Sequence, residues 1–200
     1  QTEWPHLNVY LNSITEQFST FSISGPKSRA IMRKVFSDVD FSNDKFPFMT
    51  FKFLNYLDTE VRILRASFTG ELGYEIYISP KYALDLWEKI FRYGENLGLI
   101  PYGTETMHLL RAEKGYIVVG QDTDGTVTPI DLNLNWMIGK NKKDFVGKRS
   151  LSRSDTSRKN RKQLIGILPV DRNKEIEEGQ HVVEVKTIPS KVNVPIKYLG

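Results

Sequence analysis

The chain contains no cysteine. That excludes disulfides, a thiolate nucleophile and any cysteine-ligated metal site. Its 3 histidines are scattered, none has a partner at metal-ligand spacing, and no metal is expected. No apolar run approaches the length of a membrane span, and no basic–apolar–small leader opens the sequence. A cytoplasmic protein without a membrane partner is the expectation. No G-x-G-x-x-G fingerprint follows a strand-like run, so these residues are expected to bind neither flavin nor nicotinamide. The imbalance of charge is slight, +4 with a pI near 9.1.

What remains is an ordinary globular composition over 200 residues, 40% hydrophobic and 26% charged. That is enough chain for a sizeable core and one or two domains. Most of the basic excess lies between Lys140 and Lys162. Such a run can bind phosphate or serve as a solvated linker. It has almost no aromatic residue to stack on bases, so a linker is expected and a nucleic-acid partner is not.

Apolar periodicity places the elements. Residues 8–24 alternate as a strand, and Gly25-Pro26 breaks it. Ala30, Ile31, Lys34 and Val35 carry a helix to about Phe36. Short β-like runs follow at 47–53 and 61–68. Pro80 opens a helix whose stripe is Ala83, Leu84, Trp87, Ile90 and Phe91, with Trp87 read as core. A further helix runs from about Thr104 to Lys114 and stops at Gly115. Its Met107 and Leu110 read as core, and His108 as a satisfied packing or surface histidine. The polar run 150–162 reads as a boundary or mobile loop. Gln163–Leu168, 182–185 and 192–198 look like the first strands of a small β-barrel. The expectation is an α+β fold with a mixed or antiparallel sheet, a larger domain over 1–155 and a truncated barrel over 162–200.

One stretch stands out, Phe68-Thr69-Gly70-Glu71-Leu72-Gly73-Tyr74-Glu75-Ile76. Its glycines permit positive φ and close backbone approach before an alternating strand. Tyr74, Ile76 and Ile78 point one way, and Glu75, Tyr77 and Ser79 the other. Glu75 is therefore displayed opposite the core face, beside an open turn. A carboxylate there can accept from adjacent ring N–H and amino donors at once. Read alone, the stretch also fits a hairpin whose Glu75 meets water or a lysine.

A second group of motifs accompanies it: Arg111-Ala112-Glu113-Lys114-Gly115-Tyr116, Gly120-Gln121-Asp122, Thr126-Val127-Thr128-Pro129, Trp136-Met137 and Asp144-Phe145-Val146-Gly147-Lys148. The ordered set resembles the aminomethyltransferase (glycine-cleavage T-protein) family of tetrahydrofolate-binding proteins. SFTGELGYEI, PYGTETMHLLRAEKGYIVVGQDTDGTVTP, DFVGKRSL, ITEQFSTFSISGPKSR and FPFMTF are similar to the folate domain of heterotetrameric sarcosine oxidase α subunits.

The resemblance implies a pterin held in a central channel. Glu75 matches the family glutamate that holds the pterin edge. Phe68 stands where many aminomethyltransferases have tyrosine, keeping stacking area without the hydroxyl. Arg111 matches the arginine of the family's L-R-L-E-A-G segment. At helical spacing Arg111 and Glu113 cannot both face one ligand, so one of them is structural. Trp136 matches an aromatic that borders the channel, and equally fits a core tryptophan. Many relatives start the Thr104 helix with Gly-Ala-Arg. Here it reads Gly103-Thr104-Glu105, and an acidic Glu105 would repel a folate glutamate tail.

The resemblance further implies that a flavin in a partner subunit oxidises sarcosine to an imine. Transfer to tetrahydrofolate would then give 5,10-methylenetetrahydrofolate and glycine, the protein's part being positioning and exclusion of water. The partners implied are the other sarcosine oxidase subunits and folate, with flavin and NAD held elsewhere in the complex. The family's domain is expected to begin upstream of Gln1 and continue past Gly200. Its catalytic aspartate is expected upstream, so no residue here is assigned that role, and the isolated chain is expected to be inactive. The alternatives are a free-standing aminomethyltransferase of the glycine cleavage system and a non-catalytic folate-binding scaffold.

Overall fold

A computed structural model describes residues 4–177 of the chain. Contacts divide the chain into two compact units, 1–117 and 118–200. In the first unit a four-stranded antiparallel sheet has the order β1-β4-β3-β2, with β1 at Ser19–Ser24, β2 at Phe51–Tyr56, β3 at Thr59–Leu64 and β4 at Gly73–Ile78. Helices α1 (Ser28–Val35), α2 (Ala83–Gly94) and α3 (Thr104–Glu113) accompany it. The architecture is α+β, as the pattern of elements implied.

Alternation in β4 gives the sheet two unlike faces. Tyr74, Ile76 and Ile78 are fully buried, with Ile23 from β1 and Val61 and Ile63 from β3 beside them. Ile31, Met32 and Val35 of α1 and Leu86 and Ile90 of α2 join the same core, as do Phe36, Phe41 and Phe46. Phe41 meets the Tyr74 ring edge-on at 5.5 Å between centroids. Burying each such side chain contributes about 1.5–3 kcal/mol, so this face carries most of the unit's cohesion. Pairing Ser22↔Glu75↔Leu64 and Thr20↔Tyr77↔Arg62 puts those side chains, with Phe51 and Phe53 of β2, on the opposite face.

Several expected elements shift. Residues 8–14 form no strand; they are exposed, and β1 starts only at Ser19, where β4 supplies a partner. Alternation without a neighbouring strand does not make a ladder. The run expected at 47–53 begins as a turn in which Thr50 Oγ1 donates to the Pro47 carbonyl (2.6 Å), so β2 starts at Phe51. Along α2 the buried stripe is Leu86, Ile90 and Gly94. Trp87 is 42% exposed, stacked against Phe91 (4.5 Å) and Phe21 (5.7 Å) at the border of the core. One residue of slip along a helix rotates a side chain by about 100°, enough to carry a stripe from core to flank.

In the second unit, α4 (Lys148–Leu151) follows Gly147 at a φ of 96°. The expected strand Gln163–Leu168 forms no ladder among the described residues. It is tied instead by Leu164 N–H donating to the Asp131 carbonyl (2.8 Å) and Asn133 Nδ2 donating to the Leu164 carbonyl (3.2 Å). The other two expected barrel strands, 182–185 and 192–198, lie outside the described residues. No described helix is long and apolar enough to cross a membrane.

Candidate functional site

The turn that leads into β4 is fixed by two glycines for different reasons. Gly70 has a φ of 78°, and a Cβ there would lie 2.0 Å from Lys114 Cγ. At Gly73 a Cβ would stand 2.8 Å from the Ala66 carbonyl oxygen, so the chain closes on itself there. The Leu72 carbonyl accepts from Gly25 N–H (2.8 Å) and Ser28 Oγ (3.0 Å), which ties the turn to the start of α1. Glu75 thus rises from a strand whose entry is anchored on both sides.

Glu75 is half-buried on the open sheet face. Tyr77, two residues on along the same face, donates its hydroxyl to Glu75 Oε2 at 2.5 Å. That bond, with burial second, pushes the Tyr77 phenol up to about 12, because ionising it would set two anions together. No ion pair to Glu75 is found among the described residues, so the lysine partner that a plain hairpin would offer is not there. A carboxylate has about four acceptor positions, and the phenol takes one. What the geometry offers is a held acceptor that still has capacity for a ligand's donors.

Beside it the same face continues into a recess of about 580 Å³, lined by Phe18, Phe51, Phe53, Leu64, Arg62 and Tyr77 among others. The Arg62 guanidinium lies over the Phe18 ring at 4.8 Å and the Phe53 ring at 5.5 Å. Its Nε is buried without a hydrogen bond among the described residues, with a Glu60 carboxylate oxygen at 3.7 Å. This arginine and its aromatic cage were not legible in the sequence, because the neighbours come from four separate segments. A larger recess of about 730 Å³ in the same unit is bounded by β1, α2, the loop 97–103, α3, and Thr69 and Glu71 of the turn into β4.

Of the other expected site residues, Phe68 is exposed at 40% and meets the His108 ring of α3 edge-on, 6.4 Å between centroids. His108 is not the satisfied histidine expected, since its buried Nδ1 has no hydrogen-bond partner among the described residues. Arg111, on the same helix, is buried; its Nη1 donates to the Tyr116 carbonyl (3.1 Å). That carbonyl follows the helix stop: Gly115 has a φ of 78°, Gly115 N–H donates to Ala112 O and Tyr116 N–H to Arg111 O, a Schellman ending. Glu113 is exposed, so it and Arg111 face apart as their spacing required. Trp136 belongs to the second unit, within a short 3-10 turn at Asn135–Met137, and is 71% exposed rather than core. No group of three or more metal-ligating side chains occurs among the described residues.

The second unit holds a carboxylate of another kind. Asp131 is buried and accepts from Arg161 Nε (2.9 Å) and Nη2 (2.7 Å), and from Thr128 N–H (2.8 Å) and Oγ1 (2.9 Å). The Arg161 hydrogen bonds lead in holding its carboxyl far below the usual range, with Thr128 adding to them against burial. Arg161 also donates to the Thr126 carbonyl (2.6 Å). The basic run is therefore not only a solvated linker, since its penultimate residue closes a buried ion pair.

Comparison with known proteins places these features. The GCVT N-terminal domain profile matches residues 1–142. The chain is 49% identical over 199 residues to sarcosine oxidase subunit alpha of Corynebacterium sp. strain U-96, covering 98% of this chain and 20% of that protein. It is 38% identical over 137 residues to an aminomethyltransferase of Halothermothrix orenii, 68% of this chain and 38% of that one. It is 33% identical over 150 residues to mitochondrial dimethylglycine dehydrogenase of Mus musculus, 74% and 17%. The chain thus spans about a fifth of the length of the sarcosine oxidase subunit it matches.

Proposed function

The chain belongs to the GCVT N-terminal domain family, and on that premise we propose that it is the folate-binding part of a sarcosine oxidase α subunit. In that reading it passes the one-carbon unit of oxidised sarcosine to tetrahydrofolate, as one component of a multi-subunit oxidoreductase. Its domain division would be a folate-binding domain over 1–155 and the opening of a β-barrel from 162. The observation that carries the proposal is Glu75. Its carboxylate is half-buried on the uncovered face of the sheet, fixed by one phenol and matched by no cation among the described residues.

The side chains suit a reduced pterin. The pterin edge presents a ring N–H and an amino group side by side, and a carboxylate accepts both in one plane. Tetrahydrofolate when bound supplies the nitrogens that accept a one-carbon unit. The chain's own residues orient it and keep water out. Glu75 sets the pterin edge, and the exposed Phe68 ring offers apolar area beside the same turn. Following the resemblance, Arg111 and Trp136 complete the assigned set. Arg111 would act by fixing the end of α3, since its guanidinium is bonded to the Tyr116 carbonyl.

Glu75→Ala in the complete protein is expected to weaken tetrahydrofolate binding by about 1.5–3 kcal/mol, the range for hydrogen bonds to a charged group. Calorimetric titration of both proteins measures it. Equal affinities would remove Glu75 from the site.

A further inference from the structure

We propose that Tyr77 is a positioning residue for the ligand held at Glu75, an inference that rests on the folate reading of that carboxylate. Both side chains stand on the open face of β4, two residues apart, so their Cβ atoms are separated by about 6.5–7 Å along one strand. A phenol at that spacing can reach a glutamate only when the glutamate lies along the strand toward it. The 2.5 Å contact from the Tyr77 hydroxyl to Oε2 fixes that rotamer.

Two consequences follow from the donor's identity. A phenol gives one hydrogen, so it occupies one acceptor position on Oε2, and Oε1 has no partner among the described residues. It carries no charge, so it orients the carboxylate without neutralising it, as a lysine or arginine at position 77 would. The carboxylate therefore keeps its full negative charge for a ligand's paired N–H donors, and its plane is set before the ligand arrives. Preorganisation of this kind raises affinity by removing the ordering cost from the binding step. The neighbours across the ladder leave the arrangement undisturbed, since Glu75 faces Ser22 on β1 and Leu64 on β3, neither of them charged. Tyr77 has Thr20 and Arg62 on either side, and Arg62 is directed to the Phe18 and Phe53 rings.

The test is a double-mutant cycle on tetrahydrofolate affinity in the complete protein, using Tyr77→Phe, Glu75→Ala and the pair. Far-UV circular dichroism and the unfolding midpoint check that each variant is folded. Tyr77→Phe keeps the ring and removes only the donor, and it is expected to raise Kd about fivefold, as loss of one ordinary hydrogen bond does. In the Glu75→Ala background, which leaves the phenol nothing to orient, the same change is expected to have no further effect. A merely structural tyrosine would weaken binding equally in both backgrounds, and that outcome overturns the proposal. Wild-type affinity in Tyr77→Phe alongside a weakened Glu75→Ala also overturns it, while leaving the folate reading of Glu75 intact. Wild-type affinity in Glu75→Ala removes the folate reading and the role of Tyr77 with it.

Discussion

Glu75 in the first unit and Asp131 in the second are both acidic side chains withdrawn from solvent, and their surroundings have opposite logic. Asp131 has its acceptor positions filled by Arg161 and Thr128. Among the described residues Glu75 holds a single neutral donor. A saturated carboxylate stabilises structure and has nothing left for a ligand. An unsaturated one contributes little cohesion and is placed to receive donors from outside. The distinction rests on counting partners, because burial alone would rank Asp131 as the better functional candidate.

The largest effect should come from breaking the saturated site. Asp131→Ala strands a nearly buried guanidinium and two donors of Thr128, and is expected to cost about 3–5 kcal/mol. Native-state hydrogen exchange at the Thr128 and Leu164 amides would report it, since one bonds the Asp131 side chain and the other its carbonyl. Unchanged protection would make the pair ornamental. The pH dependence has a definite sign. The folded state holds the Asp131 carboxyl below its ordinary value, so its stabilisation is fully present above the unfolded aspartate range near pH 4 and fades as pH falls below it.

Next in size is the covered face of the sheet. Ile76→Ala removes a fully buried side chain between β1 and β3 and is expected to cost about 2–5 kcal/mol. The neighbouring Glu75→Ala is expected to leave the unfolding midpoint nearly unchanged while weakening tetrahydrofolate binding as stated above. Chemical denaturation of the two variants side by side tests whether adjacent residues of one strand divide so cleanly between cohesion and recognition. A large stability loss in Glu75→Ala would make it another Asp131.

That division was legible in the sequence because strand alternation has a period of two, and β4 obeys it from Tyr74 to Ile78. The three helices of the first unit were legible to within a residue or three at their ends for the same kind of reason, whereas the four-residue α4 was not. The α2 stripe was not, because Leu84, Trp87 and Phe91 are as apolar as the residues that face the core, and only the sheet decides which stripe is covered. Of the site, Glu75 could be read from its strand and its match to a family motif. Its phenol partner could have been found, since Tyr77 shares its face at i+2, but the bond itself depends on rotamers. The Arg62 cage and the Asp131–Arg161 pair could not be read. The first gathers residues from Ile14 to Tyr77, and the second joins positions 30 apart. No local period encodes such distances.

The smallest effect sharpens the comparison by adding a third carboxylate. Glu71 sits in the same turn as Gly70 and meets Lys114 Nζ at 3.9 Å, with both side chains about half exposed (47% and 50%). Pairs of this kind contribute about 0–1 kcal/mol, because water screens the attraction and two long side chains must be held still. Lys114 is in any case packed against Gly70, so its position does not depend on the pair. Glu71→Gln is therefore expected to leave the unfolding midpoint unchanged within error and to change tetrahydrofolate affinity by less than about twofold, roughly 0.4 kcal/mol. Titration beside Glu75→Ala in the same buffer makes the contrast direct. If Glu71→Gln lost as much affinity as Glu75→Ala, recognition would follow the negative charge of the whole turn. The single held carboxylate on the open face would then no longer explain it.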